Sequence, residues 1–148
     1  MTQTPFGIVA LLCVAGAGIP VMAAMNAGLG ARIGSPMTAV FMLCIVATIG
    51  SGIIMAAIGP ANPATLFKAP PLYYFAGLLF VLYIASMTFF APKIGVGNAV
   101  VLILFGQIVA AAIIDHFGLL SATITQLTPK RALGLLLMGI GVLLARWN

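Results

Sequence analysis

The sequence holds one acidic side chain, Asp115, and it stands directly beside the one histidine, His116. A carboxylate next to an imidazole could bind a cation or relay a proton, because imidazole changes charge within the physiological range. The pair could equally be structural. Lys130 and Arg131 follow a short way on and offer Asp115 an ion pair, welcome because a helix C-terminus disfavours a negative charge. Gln107 lies upstream inside an apolar run, and Asn26 in an earlier one. Each amide brings two donors and an acceptor, suited to gluing helices together or to holding a substrate. Tyr83 shares a helical face with Phe80, Met87 and Phe90, a set that packs helices or faces lipid, or lines a cavity for an apolar, aromatic or cationic ligand. Asn98, just after Gly95 and Gly97, reads as an N-cap.

These groups do not assemble an enzyme. Paired carboxylates, a second histidine and a phosphate-loop motif are all missing from the sequence, so catalysis has no acid, base and nucleophile to draw on. No catalytic residue is assigned, and neither a metal nor another cofactor is expected. Cys13 and Cys44 fall within apolar runs without metal-site spacing, and read as free buried thiols.

The elements that must position the candidates are membrane spans. Hydrophobic residues make up 64% of the chain and charged ones 5%, against about 25% charged in a soluble domain. The seven charges separate uncharged stretches 1–31, 33–67, 69–92, 94–114 and 132–145. A crossing needs about 20 apolar residues, so the expectation is an all-α integral membrane protein of about five helices. They would cover 5–31, 37–58, 72–91, 95–114 and 129–147, in a single transmembrane domain over 1–148 with no room for a soluble one. The net charge of +5 is spread singly over span ends, which reads as interfacial anchoring and not as nucleic-acid binding.

Within the spans, Pro20 predicts a kink or an unwound segment in the first, and Ser35-Pro36 predicts the start of the second. The loop with Pro60, Pro63, Pro70 and Pro71 excludes a helix running through it. Tyr73 and Tyr74 suit the headgroup level, and Pro92-Lys93 ends the third span. Residues 117–128 form a linker. Only 14 uncharged residues lie between Arg131 and Arg146, about 21 Å of helix, so the last span needs its arginines to snorkel outward. The first run opens without a basic segment, so it is expected to be kept and not cleaved, although Ala15-Gly16-Ala17 mimics a cleavage site. Gly30-xxx-Gly34 and Gly106-xxx-Ala110 fit the small-residue packing pattern.

With five spans, one side of the membrane carries Lys68, Lys130 and Arg131, and the other Arg32, Lys93 and Arg146. Orientation follows a Lys/Arg excess, and three against three gives none. The tie arises by chance or reflects dual topology. In the second case both orientations insert and pair as an antiparallel homodimer, with the shape of a ten-helix inverted-repeat transporter.

Several stretches carry a family resemblance. They are Ala91-Pro-Lys-Ile-Gly-Val-Gly-Asn-Ala99, Gly106-Gln-Ile-Val-Ala-Ala-Ala-Ile-Ile-Asp-His-Phe-Gly118, and the run from Lys130 to Val142. Asn26-Ala-Gly-Leu-Gly-Ala-Arg-Ile33 is similar to an Asn…Arg segment of the same family. The chain resembles the YdcZ-like family of the drug/metabolite transporter superfamily, and departs from it at Phe80, where glycine is frequent. The resemblance implies a multi-pass protein of the bacterial inner membrane that transports a small molecule of unknown identity by alternating access at a dimer interface. Asn26, Gln107 and Tyr83 are then the substrate-binding candidates. Asp115 and His116 form the candidate proton or ion-pair site. The partners expected are the lipid bilayer, a second copy and the substrate, with no nucleic acid. An accessory subunit of another membrane protein and a dual-topology ion channel are the rival readings.

Overall fold

A computed structural model describes residues 5–66 and 68–146. They are all-helical, with no strand among the described residues. Four helical segments are long and apolar enough to cross a membrane: Phe6–Ile33, Pro36–Ile58, Pro71–Ile94 and Val96–Phe117. At most 22% of each segment's most apolar stretch is buried within the chain. The large apolar surfaces left over need lipid or another chain.

The chain forms two compact units, Met1–Lys93 and Ile94–Asn148. In the first, α1 (Phe6–Ile33) and α2 (Pro36–Ile58) make a tight hairpin. Gly34 caps α1 in the left-handed conformation, φ 69°, and the N–H groups of Gly34 and Ser35 both reach the Gly30 carbonyl. That double bond closes a helix C-terminus. The Ser35 hydroxyl then accepts from the Thr38 amide at 3.3 Å, and Pro36 opens α2, as Ser-Pro predicts. The two helices touch where Gly30 lies against Pro36 and Ala39. A Cβ on Gly30 would stand 3.1 Å from the Pro36 Cα, so only glycine permits this approach. Gly34, the other half of the expected packing pair, is the cap instead.

α1 runs through Pro20 without a break, so the unwound segment expected there does not form. Proline removes one donor and crowds the carbonyl four residues back. Here that residue is Gly16, whose missing Cβ gives the backbone room to adjust. The proline-rich loop is not wholly irregular either. α3 (Pro63–Leu66) is a single turn, started by the Asn62 side chain accepting from the Ala64 amide at 2.9 Å. A 3₁₀ turn, Pro71–Phe75, leads into α4 (Ala76–Ile94). Prolines block a helix from running through but suit first turns. α4 also passes Pro92 before ending at Ile94. The expected stop comes two residues late, because a proline near a helix end sacrifices only one bond.

The buried residues of α1 are Ala23, Asn26, Ala27 and Gly30, and those of α4 are Ile84, Met87, Thr88 and Ala91. Both sets follow the i, i+3, i+4, i+7 spacing of one helical face. The aromatic face proposed for α4 therefore divides. Met87 is buried, Phe90 is exposed, and Lys93 Nζ lies 5.6 Å from the Phe90 ring centre. Cys13 and Cys44 are free thiols, but Cys13 is exposed and Cys44 only half-buried. Burial within the chain was expected of both; instead they join the uncovered apolar surface of α1 and α2.

In the second unit, α5 (Val96–Phe117) packs with α6 (Pro129–Arg146). Gly95 occupies the cap position of α5 without a side-chain bond. Asn98 does not cap it; its amide donates backward to the Ile94 carbonyl at 2.8 Å. Gly118 ends α5 at φ 60°, a 3₁₀ turn covers Leu119–Ser121, and residues 122–128 lead to α6. α6 has 18 residues and is not among the four crossing segments, since Lys130, Arg131 and Arg146 fall inside it. Trp147, expected to frame it, lies outside the described residues.

Candidate functional site

The first unit contains a cavity of about 670 Å³, within the range of small-molecule sites. Met22, Met25, Asn26 and Leu29 line it from α1, and Met42, Leu43, Val46 and Ala47 from α2. Phe80 of α4 completes the wall. On α1 the spacing is that of a single helical stripe, which is why one cavity collects all four side chains. Asn26 is the one polar side chain in the lining, and it is 5% exposed.

The orientation of Asn26 follows from its partner. The Thr88 hydroxyl donates its single hydrogen to the Ile84 carbonyl at 2.8 Å. It can therefore only accept from Asn26, and Asn26 Nδ2 donates to it at 2.7 Å. The amide oxygen is thereby turned away from Thr88 and accepts no bond from any described residue. Among the described residues no buried side-chain nitrogen or oxygen lacks a partner, so this oxygen reaches open space. The space that Asn26 lines is the cavity. Thr88 was not singled out from the sequence. The signal available was its position in the periodic set Ile84, Met87, Thr88 and Ala91.

Tyr83 is half-buried and does not line the cavity; Phe80, one turn earlier, does. Gln107 lies at the middle of α5, exposed, with no hydrogen bond to any described residue. Gly106 and Ala110 beside it are exposed as well. The amides of Asn26 and Gln107 thus belong to different units, one on a cavity and one on an open helix face.

In the second unit Asp115 and His116 fasten the connection to α6. Arg131 Nη2 donates to Asp115 Oδ2 at 2.7 Å, with both side chains about one third exposed. The Asp115 carbonyl accepts from the Thr125 amide at 2.9 Å, and His116 Nδ1 accepts from the Leu127 amide at 3.1 Å. Such a half-exposed pair contributes at most about 1 kcal/mol, so the cluster's effect lies in holding residues 125–131 against the end of α5. His116→Ala is therefore expected to speed amide exchange at Leu127 at constant pH, because the Leu127 amide loses its acceptor. Equal protection of Leu127 in wild type and His116→Ala would show that the imidazole does not hold the linker. A second cavity of about 630 Å³ lies between α5 and α6, with Phe105, Leu127, Leu136 and Gly139 in its wall. Its lining is apolar throughout. No group of three or more histidine, cysteine or acidic residues is placed to hold a metal among the described residues.

Four membrane-length apolar helices define a multi-pass membrane protein, whose first unit carries an open apolar groove with one oriented amide. The family described as "Putative inner membrane exporter, YdcZ" matches residues 7–144. The chain belongs to this family, and is a multi-pass protein of the inner membrane. No curated protein and no solved structure is similar enough to it to match.

Proposed function

We propose that the chain is one subunit of a small-molecule exporter that works by alternating access at the interface of an antiparallel homodimer. The observation that carries the reading is the cavity on Asn26, in a member of an exporter family. Asn26 is the substrate contact in this account. Gln107 serves the dimer contact, and Tyr83 packs helices. Asp115 and His116 act as the clamp on α6.

α6 is the fifth span. Its 18 residues reach about 27 Å, close to the 30 Å hydrocarbon core. Five spans give the three-against-three distribution of basic residues. Four spans would leave Lys68, Lys130, Arg131 and Arg146 on one side and Arg32 and Lys93 on the other, four against two, a clear bias. The second copy is supported by Gln107. An amide exposed at mid-span must find a partner in hydrocarbon. A residue at the centre of its helix lies where a two-fold axis in the membrane midplane passes, so two Gln107 side chains can serve each other.

A channel needs a continuous polar lining, and Asn26 alone is a poor supply. An accessory subunit would present Gln107 to a different chain. Export tests all three. Cells overproducing the chain are expected to accumulate less of at least one compound from a panel of labelled amphiphiles, with saturation and mutual competition. Unitary currents in a planar bilayer would instead establish a channel. Export that requires a stoichiometric co-purifying protein would establish an accessory subunit.

A further inference from the structure

The chemistry of the first cavity specifies what it can hold. We propose that it binds an uncharged, largely aromatic molecule that donates one hydrogen bond to Asn26 Oδ1. The inference rests on the exporter reading for its role, but the site stands on its own geometry.

Three observations converge. The cavity wall carries no lysine, arginine, histidine or acidic residue. An ion seated against this apolar wall would give up part of its hydration with no countercharge in return. Charged ligands are thereby disfavoured, including lipophilic cations. Second, Met22, Met25 and Met42 share the wall with Phe80. Thioethers are polarisable, adapt to different shapes and make favourable contacts with aromatic rings, and Phe80 adds an aromatic face for stacking. Third, the wall's single polar side chain is fixed in orientation. Thr88 spends its hydrogen on Ile84 and takes one from Asn26, which leaves the Asn26 oxygen as an acceptor toward the cavity. A ligand with one N–H or O–H satisfies it. A ligand with no donor leaves the Asn26 oxygen without a hydrogen bond.

The test uses scintillation proximity on the detergent-purified full chain, with tritiated N-phenyl-naphthylamine as probe. It is neutral, aromatic and has a single N–H. Three competitors share or contrast its features: its N-methyl derivative, which lacks the donor; anilinonaphthalene sulfonate, which adds a negative charge; and tetraphenylphosphonium, a cation. Saturable probe binding is expected. The N-methyl derivative should bind about tenfold more weakly, the worth of one hydrogen bond, and the two ions should compete poorly. Asn26→Leu should erase the difference between probe and N-methyl derivative. Should that variant fail to fold, Val46→Trp supplies an independent reading. Val46 lines the cavity and is 68% exposed, so indole at this position fills the space without entering the packed core, and binding should be lost.

Better binding of the cation than of the probe, or an undiminished preference for the N–H in Asn26→Leu, would overturn the proposal. So would unchanged binding in Val46→Trp. Export of a charged amphiphile without probe binding would remove this inference and leave the exporter reading intact. Probe binding with no export of any compound would do the reverse.

Discussion

Replacing Gly30 by leucine is expected to drive α1 and α2 apart and to leave little folded protein. The Cβ alone would press on the Pro36 Cα at 3.1 Å and on the Ala39 Cβ at 3.6 Å. Neither neighbour can swing aside, since one is backbone and the other a methyl group fully buried on α2. Overpacking costs typically about 1–3 kcal/mol, and a contact against backbone belongs at the upper end. Gly30→Ala should cost less, because a shift of a few tenths of an ångström relieves it. Gly28 supplies the control. It is exposed and a Cβ there meets nothing within 4 Å, so Gly28→Leu should change stability by no more than about 0.5 kcal/mol. The readout is the monodisperse fraction on size exclusion after a temperature ramp. Equal losses in the two leucine variants would show that the Gly30 contact does not set the hairpin.

Gln107→Leu is expected to weaken association of two copies while leaving each chain folded. The side chain makes no bond within the described residues and is exposed, so its loss costs the monomer nothing. Interhelical hydrogen bonds in membranes average about 0.6 kcal/mol and reach about 1.7. Two such bonds across a two-fold axis correspond to roughly a ten- to three-hundredfold change in the dissociation constant. Förster transfer between labelled copies in liposomes, diluted with lipid, measures it directly. Transfer that falls on dilution at the same protein density in wild type and variant would remove Gln107 from the interface.

The parts of the fold legible in the sequence were those set by composition and by strong local chemistry. Apolar length announced the four crossing segments, and Ser35-Pro36 announced the start of α2, since a hydroxyl cap followed by proline has few other uses. Asp115 could be paired with Lys130 or Arg131 on charge alone, as the chain has no other carboxylate side chain, and the structure pairs it with Arg131. What was not legible depended on three-dimensional company. Pro20 and Pro92 both look like breaks, yet each sits in continuous helix, because one lost bond in a long apolar helix is cheaper than exposing backbone to hydrocarbon. Asn98 has the right position for a cap but turns to a nearer carbonyl at Ile94. The cavity wall was half visible. Asn26 stood out as an amide in an apolar run, whereas Thr88, which aims it, and the three methionines beside it look like ordinary span residues until α1, α2 and α4 are brought together.

The central claim is that two copies in opposite orientations make the working exporter, and labelling tests it most directly. Cys13 and Cys44 would be replaced by alanine, which both sites tolerate since neither thiol is buried. Single cysteines would then be placed beside Lys68, in the loop after α2, and in a separate variant beside Lys93, in the last turn of α4. Intact cells would be treated with an impermeant thiol reagent. The account predicts partial labelling at both positions, rising to completion when the membrane is permeabilised. Complete labelling at one position and none at the other would mean a single orientation, and would contradict the antiparallel dimer.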